Sequence, residues 1–227
     1  MGVVWFLGAG LGAAILYWLV VIGEGTYIGT WAVRLIYQLG ASHYDRVHAA
    51  SSASDAQYLL PILHTALADI TQPQVLDVAT GTGRVPLLLA REATFVGRII
   101  GVDLTSQMIA QARQKHAASC PQAAIHWQVG EAGYLAWPGT YFDLVCCLEA
   151  IEYFPDPPQA LAEMARVLRP GATLVISIWP DTWARVLPGR AFTRAALRRY
   201  LGCLGFGMID IRSWQPGNYD LVTARKW

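Results

Sequence analysis

The apolar and polar positions of this 227-residue chain change pattern twice, near residue 23 and again near residue 42. Residues 3–22 are predominantly apolar and carry no charged side chain. That length predicts one helix of about 30 Å, the thickness of a hydrocarbon core. Trp5, Tyr17 and Trp18 stand near its two ends, where interfacial aromatics belong. No Lys or Arg precedes the run, it is longer than a secretory h-region, and no small-x-small cleavage pattern follows, so a cleaved signal fits poorly. Residues 1–23 are therefore expected to form a single transmembrane anchor. Arg34 and Arg46 follow it and only the α-amino group precedes it, which directs the remainder of the chain to the cytoplasmic side of the membrane.

Residues 24–42 gather Tyr27, Ile28, Trp31, Val33, Leu35, Ile36, Tyr37 and Leu39 around Arg34, too apolar a set for a free linker. Two readings stay open: a short helix lying in the membrane interface, or cover packed on the domain that follows. From residue 43 to 227 the pattern is that of one domain. Leu59, Leu60, Leu63 and Leu67 recur at helical spacing after Ser54 and Asp55, residues suited to capping a start. Apolar strands are then predicted at 75–79, 99–103, 125–129, 143–148 and 173–178, with helices at 84–91, 106–119, 158–168 and 193–203. Strands this apolar, separated by helices, predict an α/β fold with an open doubly wound parallel sheet covered on both faces. Two last strands at 208–214 and 219–225 flank Gln215-Pro216-Gly217-Asn218 and predict an antiparallel hairpin at the C-terminus.

Composition changes this picture in three places. The mean hydropathy of +0.34 is high and its excess lies in the N-terminal run. A formal charge of +1 with 15% charged residues supplies no basic field for nucleic acid. Cys120, Cys146, Cys147 and Cys203 lack the paired spacing of a zinc site and read as small core residues in a reducing compartment.

Ligands of such sheets sit at the carboxyl ends of the strands, so the residues just after each strand carry the chemistry. The first of these runs, Val75-Leu76-Asp77-Val78-Ala79-Thr80-Gly81-Thr82-Gly83-Arg84, reads as a strand turning into a helix through a glycine corner, where backbone approaches a ligand closely. After the second strand stands Asp103, a carboxylate able to accept both hydrogen bonds of a ribose diol. A nicotinamide-dinucleotide frame would need a third small residue where Pro86 stands, and Asp77 would repel a pyrophosphate. A ligand with a positive centre and an ammonium group suits this corner better.

Asp77-Val78-Ala79-Thr80-Gly81-Thr82-Gly83, Gly101-Val102-Asp103-Leu104, Gly130-Glu131-Ala132, Phe142-Asp143-Leu144-Val145 and Val167-Leu168-Arg169-Pro170-Gly171 stand in the order and approximate spacing of the class I S-adenosylmethionine-dependent methyltransferases. The resemblance spans residues 44–226. It implies a Rossmann-like fold and S-adenosyl-L-methionine as cofactor. It also implies a set of cofactor-binding residues. Asp77 and the backbone of Ala79 and Gly81 would hold the methionine end, and Thr82 and Gly83 would let the chain pass it. Asp103 would take the ribose hydroxyls, Leu104 would pack on adenine, and Glu131 and Ala132 would meet the adenine edge. Tyr44 would close over the methionine end, and Leu148 would face the cofactor from the fourth strand. The family's usual glycine is Ala79 here.

Cys147-Leu148-Glu149-Ala150-Ile151-Glu152-Tyr153 is similar to the E-x-x-E-H element of the ubiquinone-pathway O-methyltransferases, with Tyr153 at the histidine position. A metal ion loses a natural ligand by that change, and none is expected. The glycine corner instead resembles the C-methylating enzymes of the quinone pathways. For a catalytic base the sequence offers Glu149, Glu152 and His43 without choosing among them, each with a structural role open to it. The expected activity is methyl transfer to a small, lipophilic or membrane-associated acceptor. A nicotinamide-dependent oxidoreductase and a non-catalytic membrane protein of the same fold stand as alternatives. Acceptor atom and oligomeric state are open.

Overall fold

The computed structural model describes residues 2–49, 55–215 and 217–227, residues 2–9 as backbone only. Its centre is a seven-stranded sheet of β1 (Gln74–Val78), β2 (Arg98–Asp103), β3 (Ile125–Val129), β4 (Phe142–Cys147), β5 (Leu168–Ile178), β6 (Phe206–Gln215) and β7 (Tyr219–Lys226). The spatial order is β3-β2-β1-β4-β5-β7-β6, and β7 runs antiparallel to both of its neighbours. The order reverses between β1 and β4, so the crevice for a ligand opens at the carboxyl ends of those two strands. The helices are α1 (Gly2–Tyr17), α2 (Thr30–Val47), α3 (Asp55–Tyr58), α4 (Leu60–Leu67), α5 (Arg84–Ala90), α6 (Ser106–Ser119), α7 (Pro157–Val167), α8 (Asp181–Ala184) and α9 (Arg194–Cys203). The expected cap Ser54 and turn residue Pro216 lie outside the described residues.

The strand residues alternate between two cores, as a period of two requires. Leu76, Val78, Val145, Cys147, Leu174 and Ile176 face Leu161 and Met164 of α7 and Leu197 and Leu201 of α9. Val75, Leu144, Cys146 and Val175 face Leu59, Leu63, Val85 and Leu89 on the other side. The adjacent Cys146 and Cys147 are thus small buried residues on opposite faces, both reduced. Local chemistry sets the helix starts: the Asp156 carboxylate accepts from Gln159 N at 3.0 Å before Pro157, and the Thr193 hydroxyl accepts from Ala196 N at 3.2 Å.

The N-terminus departs from expectation. α1 has 16 residues, roughly 24 Å of helix, and gives way to a π-helical turn at Trp18–Ile22. Among the described residues no helix is long and apolar enough to cross a membrane. The single-pass transmembrane anchor expected at 1–23, the membrane partnership through it and the topology built on it therefore find no support in this structure. Residues 10–17 stay exposed, and the chain is tied to the domain from Trp18 onward. Trp18 Nε1 donates to Val186 O at 3.0 Å, its ring stacks on Tyr27 at 4.7 Å, and the Tyr27 hydroxyl donates to Pro188 O at 2.8 Å. The Thr26 hydroxyl donates to Tyr153 O at 3.2 Å. Beyond this clamp, α2 runs unbroken through residues 42 and 43 and packs against α6.

Candidate functional site

The glycine corner between β1 and α5 is built by backbone geometry. Ala79, Gly81 and Gly83 have φ of +55°, +53° and +89°, so three left-handed residues in seven fold the strand back into the helix. Thr80 N donates to Val102 O at 2.9 Å and ties the corner to β2. The Thr80 hydroxyl donates to Asp77 Oδ2 at 2.6 Å. Asp77 is buried, and burial pushes its carboxyl up to about 7 against the Thr80 hydrogen bond and the nearby Arg84 guanidinium.

Asp103 ends β2 beside it. Gly81 N donates to one carboxylate oxygen at 2.9 Å, and Thr105 N and Oγ1 donate to the other at 2.9 and 3.0 Å. These bonds fix the carboxylate's orientation and leave lone pairs for a ligand. Burial raises its pKa from the usual carboxylate range, and the Thr105 and Gly81 amides oppose that rise.

A cavity of about 270 Å³ opens over this corner. One half is walled by Val102, Asp103, Leu104, Gly130, Glu131 and Ala132, the other by Val33 and Tyr37 of α2 with Leu148, Ala150 and Tyr153 after β4. A second, larger cavity of about 470 Å³ lies behind the corner, lined in part by Asp77, Thr82, Arg84 and Lys115. Tyr44, Ala79, Leu148 and Glu149 line both and form the partition. The Tyr44 ring lies 3.5 Å from where a side chain on Gly81 would begin, so a Cβ there would meet the tyrosine in ordinary van der Waals contact.

The residues expected from sequence are thus distributed. Tyr44, Ala79, Gly81, Asp103, Leu104, Glu131, Ala132 and Leu148 meet at the first cavity. Asp77 and Thr82 face the second, and the Thr82 hydroxyl donates to Asp45, which Lys115 holds at 2.9 Å. Gly83 lies behind the corner, where a Cβ would sit 2.6 Å from Cη2 of the buried Trp127. Glu149 is engaged: Arg84 donates to it at 2.6 Å and Gln215 at 2.7 Å, while Arg84 also grips Asp55 and lies over the Trp214 ring. His43 is exposed, paired with Ser42. Glu152 is buried, with Oε1 left without a partner among the described residues. No group of His, Cys, Asp and Glu among the described residues is arranged to hold a metal ion.

Sequence reasoning missed Tyr37 and Glu24. The Tyr37 hydroxyl donates to a Glu24 carboxylate oxygen, and Tyr37 lines the first cavity beside Tyr44, their rings 6.3 Å apart. The signal was available: Glu24 is an acid in an otherwise apolar stretch.

The donor set fits S-adenosylmethionine. Asp103 offers an oriented carboxylate at the floor of the first cavity, Leu104 and Ala132 offer apolar contact beside it, and the buried Asp77 carboxyl would be relieved by a nearby ammonium.

A family described as a methyltransferase domain matches residues 76–176. The demethylmenaquinone methyltransferase of Deinococcus radiodurans is 44% identical over 107 residues, 47% of this chain and 43% of that enzyme's length. That of Lactiplantibacillus plantarum is 31% identical over 174 residues, 70% of this chain and 73% of the enzyme. Among solved structures, magnesium protoporphyrin IX methyltransferase of Synechocystis, solved with bound S-adenosylmethionine, superposes with a TM-score of 0.61 at 19% identity, over 77% of this chain and 81% of that one. The structural likeness speaks for the fold, and the sequence likeness for the family. By the Lactiplantibacillus plantarum relative, this chain belongs to the class I S-adenosylmethionine-dependent methyltransferases.

Proposed function

We propose that this protein transfers a methyl group from S-adenosylmethionine to a ring carbon of a small, lipophilic, hydroxylated aromatic acceptor of the quinol type. One observation carries the reading: a single cavity joins the Asp103 floor to an apolar half walled by Val33, Tyr37, Leu148, Ala150 and Tyr153. A polar nucleoside at one end and an apolar ring at the other match that division. The chain's similarity to relatives named demethylmenaquinone methyltransferase and ubiquinone/menaquinone biosynthesis C-methyltransferase supports an acceptor of this class and carbon as the atom methylated. The cofactor would supply an electron-poor sulfonium methyl carbon, the C–S electron pair remaining on sulfur. The chain's own part is to hold the acceptor in line with it and to keep water out, and orientation of that kind accounts for much of such an acceleration.

Trp31, Leu35 and Leu39 lie at helical spacing on α2 and are 65%, 46% and 74% exposed. The same helix lines the cavity with Val33 and Tyr37 on its other side. An exposed apolar stripe of this kind suits peripheral contact with a lipid surface in which the acceptor is dissolved. In that reading residues 24–42 work as an interfacial element and 43–227 as the methyltransferase domain.

The test uses the full-length protein with S-adenosylmethionine labelled on its methyl group and a 1,4-naphthoquinol lacking the ring methyl. The expected product carries label on the ring carbon, and Asp103→Ala weakens S-adenosylhomocysteine binding about 10- to 100-fold without unfolding the protein. Label on oxygen, or no transfer despite tight cofactor binding, would refute the carbon-methylating reading.

A further inference from the structure

Tyr37 and Glu24 form a pair that the site as described so far leaves without a task. Glu24 sits at a left-handed turn, φ +46°, between the clamp residues Trp18 and Thr26. Its carboxylate accepts the Tyr37 hydroxyl hydrogen bond and faces the Tyr153 hydroxyl as well. Both tyrosines line the apolar half of the first cavity, so their phenol groups border the space an aromatic acceptor would fill. Tyr44, beside Tyr37, belongs to the partition over the glycine corner. The pair therefore lies next to the corner at which the cofactor's methionine end is placed.

Of the three bases considered from sequence, none has this position. Glu149 is held by Arg84 and Gln215, His43 is exposed and does not line the cavity, and Glu152 does not line it either. Resting on the methyltransferase reading above, we propose that Tyr37 is the catalytic proton acceptor for the hydroxyl of the aromatic acceptor, and that Glu24 acts through it as the positioning base.

In this step the acceptor's O–H bond breaks and its proton passes to the Tyr37 oxygen, while the proton of Tyr37 passes to Glu24. The negative charge moves from Glu24 to the acceptor oxygen. That oxygen's electron pair, delocalised into the ring, makes the adjacent carbon nucleophilic toward a methyl group. When the methylated carbon loses its own proton to water, the oxygen recovers the first proton from Glu24 by the reverse path. Protons and charge balance with no further reagent.

The groups facing Glu24 are Tyr37, Tyr44 and His48 from α2 and Tyr153 and Glu152 from the turn after β4. Burial raises the pKa of Glu24, against the Tyr37 and Tyr153 hydrogen bonds and the charge of His48, which makes its carboxylate a stronger base than an exposed one.

The experiment compares wild type, Tyr37→Phe and Glu24→Gln, with a 1,4-naphthoquinol lacking the ring methyl as acceptor and S-adenosylhomocysteine binding as the control for folding. Both variants should bind S-adenosylhomocysteine within about twofold of wild type and lose about 100-fold in kcat at neutral pH, with the loss shrinking toward alkaline pH as the acceptor ionises in solution. The acidic limb of the wild-type kcat profile should move in both. Variants that keep the wild-type kcat and its acidic limb overturn the inference while leaving methyl transfer intact. A pH-independent loss accompanied by weakened S-adenosylhomocysteine binding assigns the pair a structural role and overturns it too. Wild type that binds S-adenosylhomocysteine yet transfers no methyl group refutes the acceptor reading itself, and the inference falls with it.

Discussion

At the scale of single residues, the glycine corner holds two positions with opposite demands. Ala79 occupies φ +55°, where an L side chain costs about 1–2 kcal/mol relative to the right-handed region. Glycine removes that strain and brings back part of the cost as unfolded-state entropy. Ala79→Gly should therefore stabilise the protein by about 0.5–1 kcal/mol, read as a rise of roughly 1–4 °C in Tm. Gly83 is the reverse case. Its φ is +89° and a Cβ would come within 2.6 Å of the Trp127 ring, which is buried and has nowhere to move. Gly83→Ala should cost about 2–4 kcal/mol by strain and overpacking together. Thermal melts of the two variants settle both: equal effects of one sign would mean that the corner's glycines act only through chain entropy. The glycine at 83 thus has a packing reason, the close approach of Trp127, beside any it has toward a ligand.

At the scale of elements, the alternation of apolar strands and helices was readable because burial on both faces leaves no polar interruption. β4 is buried at all six positions, and Ser106–Ser119 is bounded as its pattern indicates. The family motifs placed Asp103, Leu104, Glu131 and Ala132 at one cavity for the same reason: each follows a strand of the parallel sheet, and topology brings those ends together. The N-terminal third was not legible in this way. Apolarity over residues 3–22 measures the wish to leave water and does not say whether lipid or protein receives it. The clamp that follows the run is made by polar atoms: Trp18 Nε1 on Val186 O, the Tyr27 hydroxyl on Pro188 O, and Arg190 donating to Phe154 O at 3.1 Å, to Pro155 O and to Thr26 O at 3.2 Å. Glu24 and Tyr37 meet through the turn this clamp imposes, so their pairing was invisible at a separation of 13 residues with no single helix carrying both to set a period. Arg190 joins the N-terminal segment to the turn after β4, and its guanidinium also lies over the Tyr27 ring at 5.5 Å. Arg190→Ala should accordingly raise amide hydrogen exchange by about tenfold or more in residues 18–30 and 151–156 and leave the β1, β4 and β5 amides protected. Acceleration spread evenly over the sheet would show that Arg190 supports the whole domain and is not a local tie.

At the scale of the whole molecule, two buried acids tie stability to pH. Burial pushes the Glu152 carboxyl up to about 8, with hydrogen bonding from Tyr219 opposing and the charges of Glu24 and Glu149 adding to the rise. Burial also pushes Asp77 up to about 7. Both groups hold a proton more tightly folded than unfolded, where their values are near 4. Their contribution is therefore fully present below about pH 4 and is lost as pH rises through 7 and 8, because the folded state must then bury a charge or release the proton at a cost. Acid-side losses from groups such as Glu163, whose carboxyl the Arg166 guanidinium holds below the usual range, run in the opposite direction, so the raw profile of the wild type mixes both. The difference between wild type and Glu152→Gln isolates the first. The amide cannot ionise and keeps the shape of the side chain, so the variant should melt near wild type at pH 5 and about 3–6 °C above it at pH 8.5. Melting curves that stay parallel across that range would mean that Glu152 is ionised throughout and that water or a cation satisfies its Oε1. The result bears on the site as well. Glu152 and Glu24 face each other across the turn after β4, so a neutral Glu152 leaves Glu24 free to carry the charge that the Tyr37 hydrogen bond requires. Loss of that neutrality above pH 8 would place two carboxylates near each other behind Tyr153, and the proton affinity of Glu24 would rise with it. The Glu152→Gln variant should then keep its kcat acidic limb and lose any pH-dependent change above 8, which steady-state assays at pH 7 to 9.5 would measure.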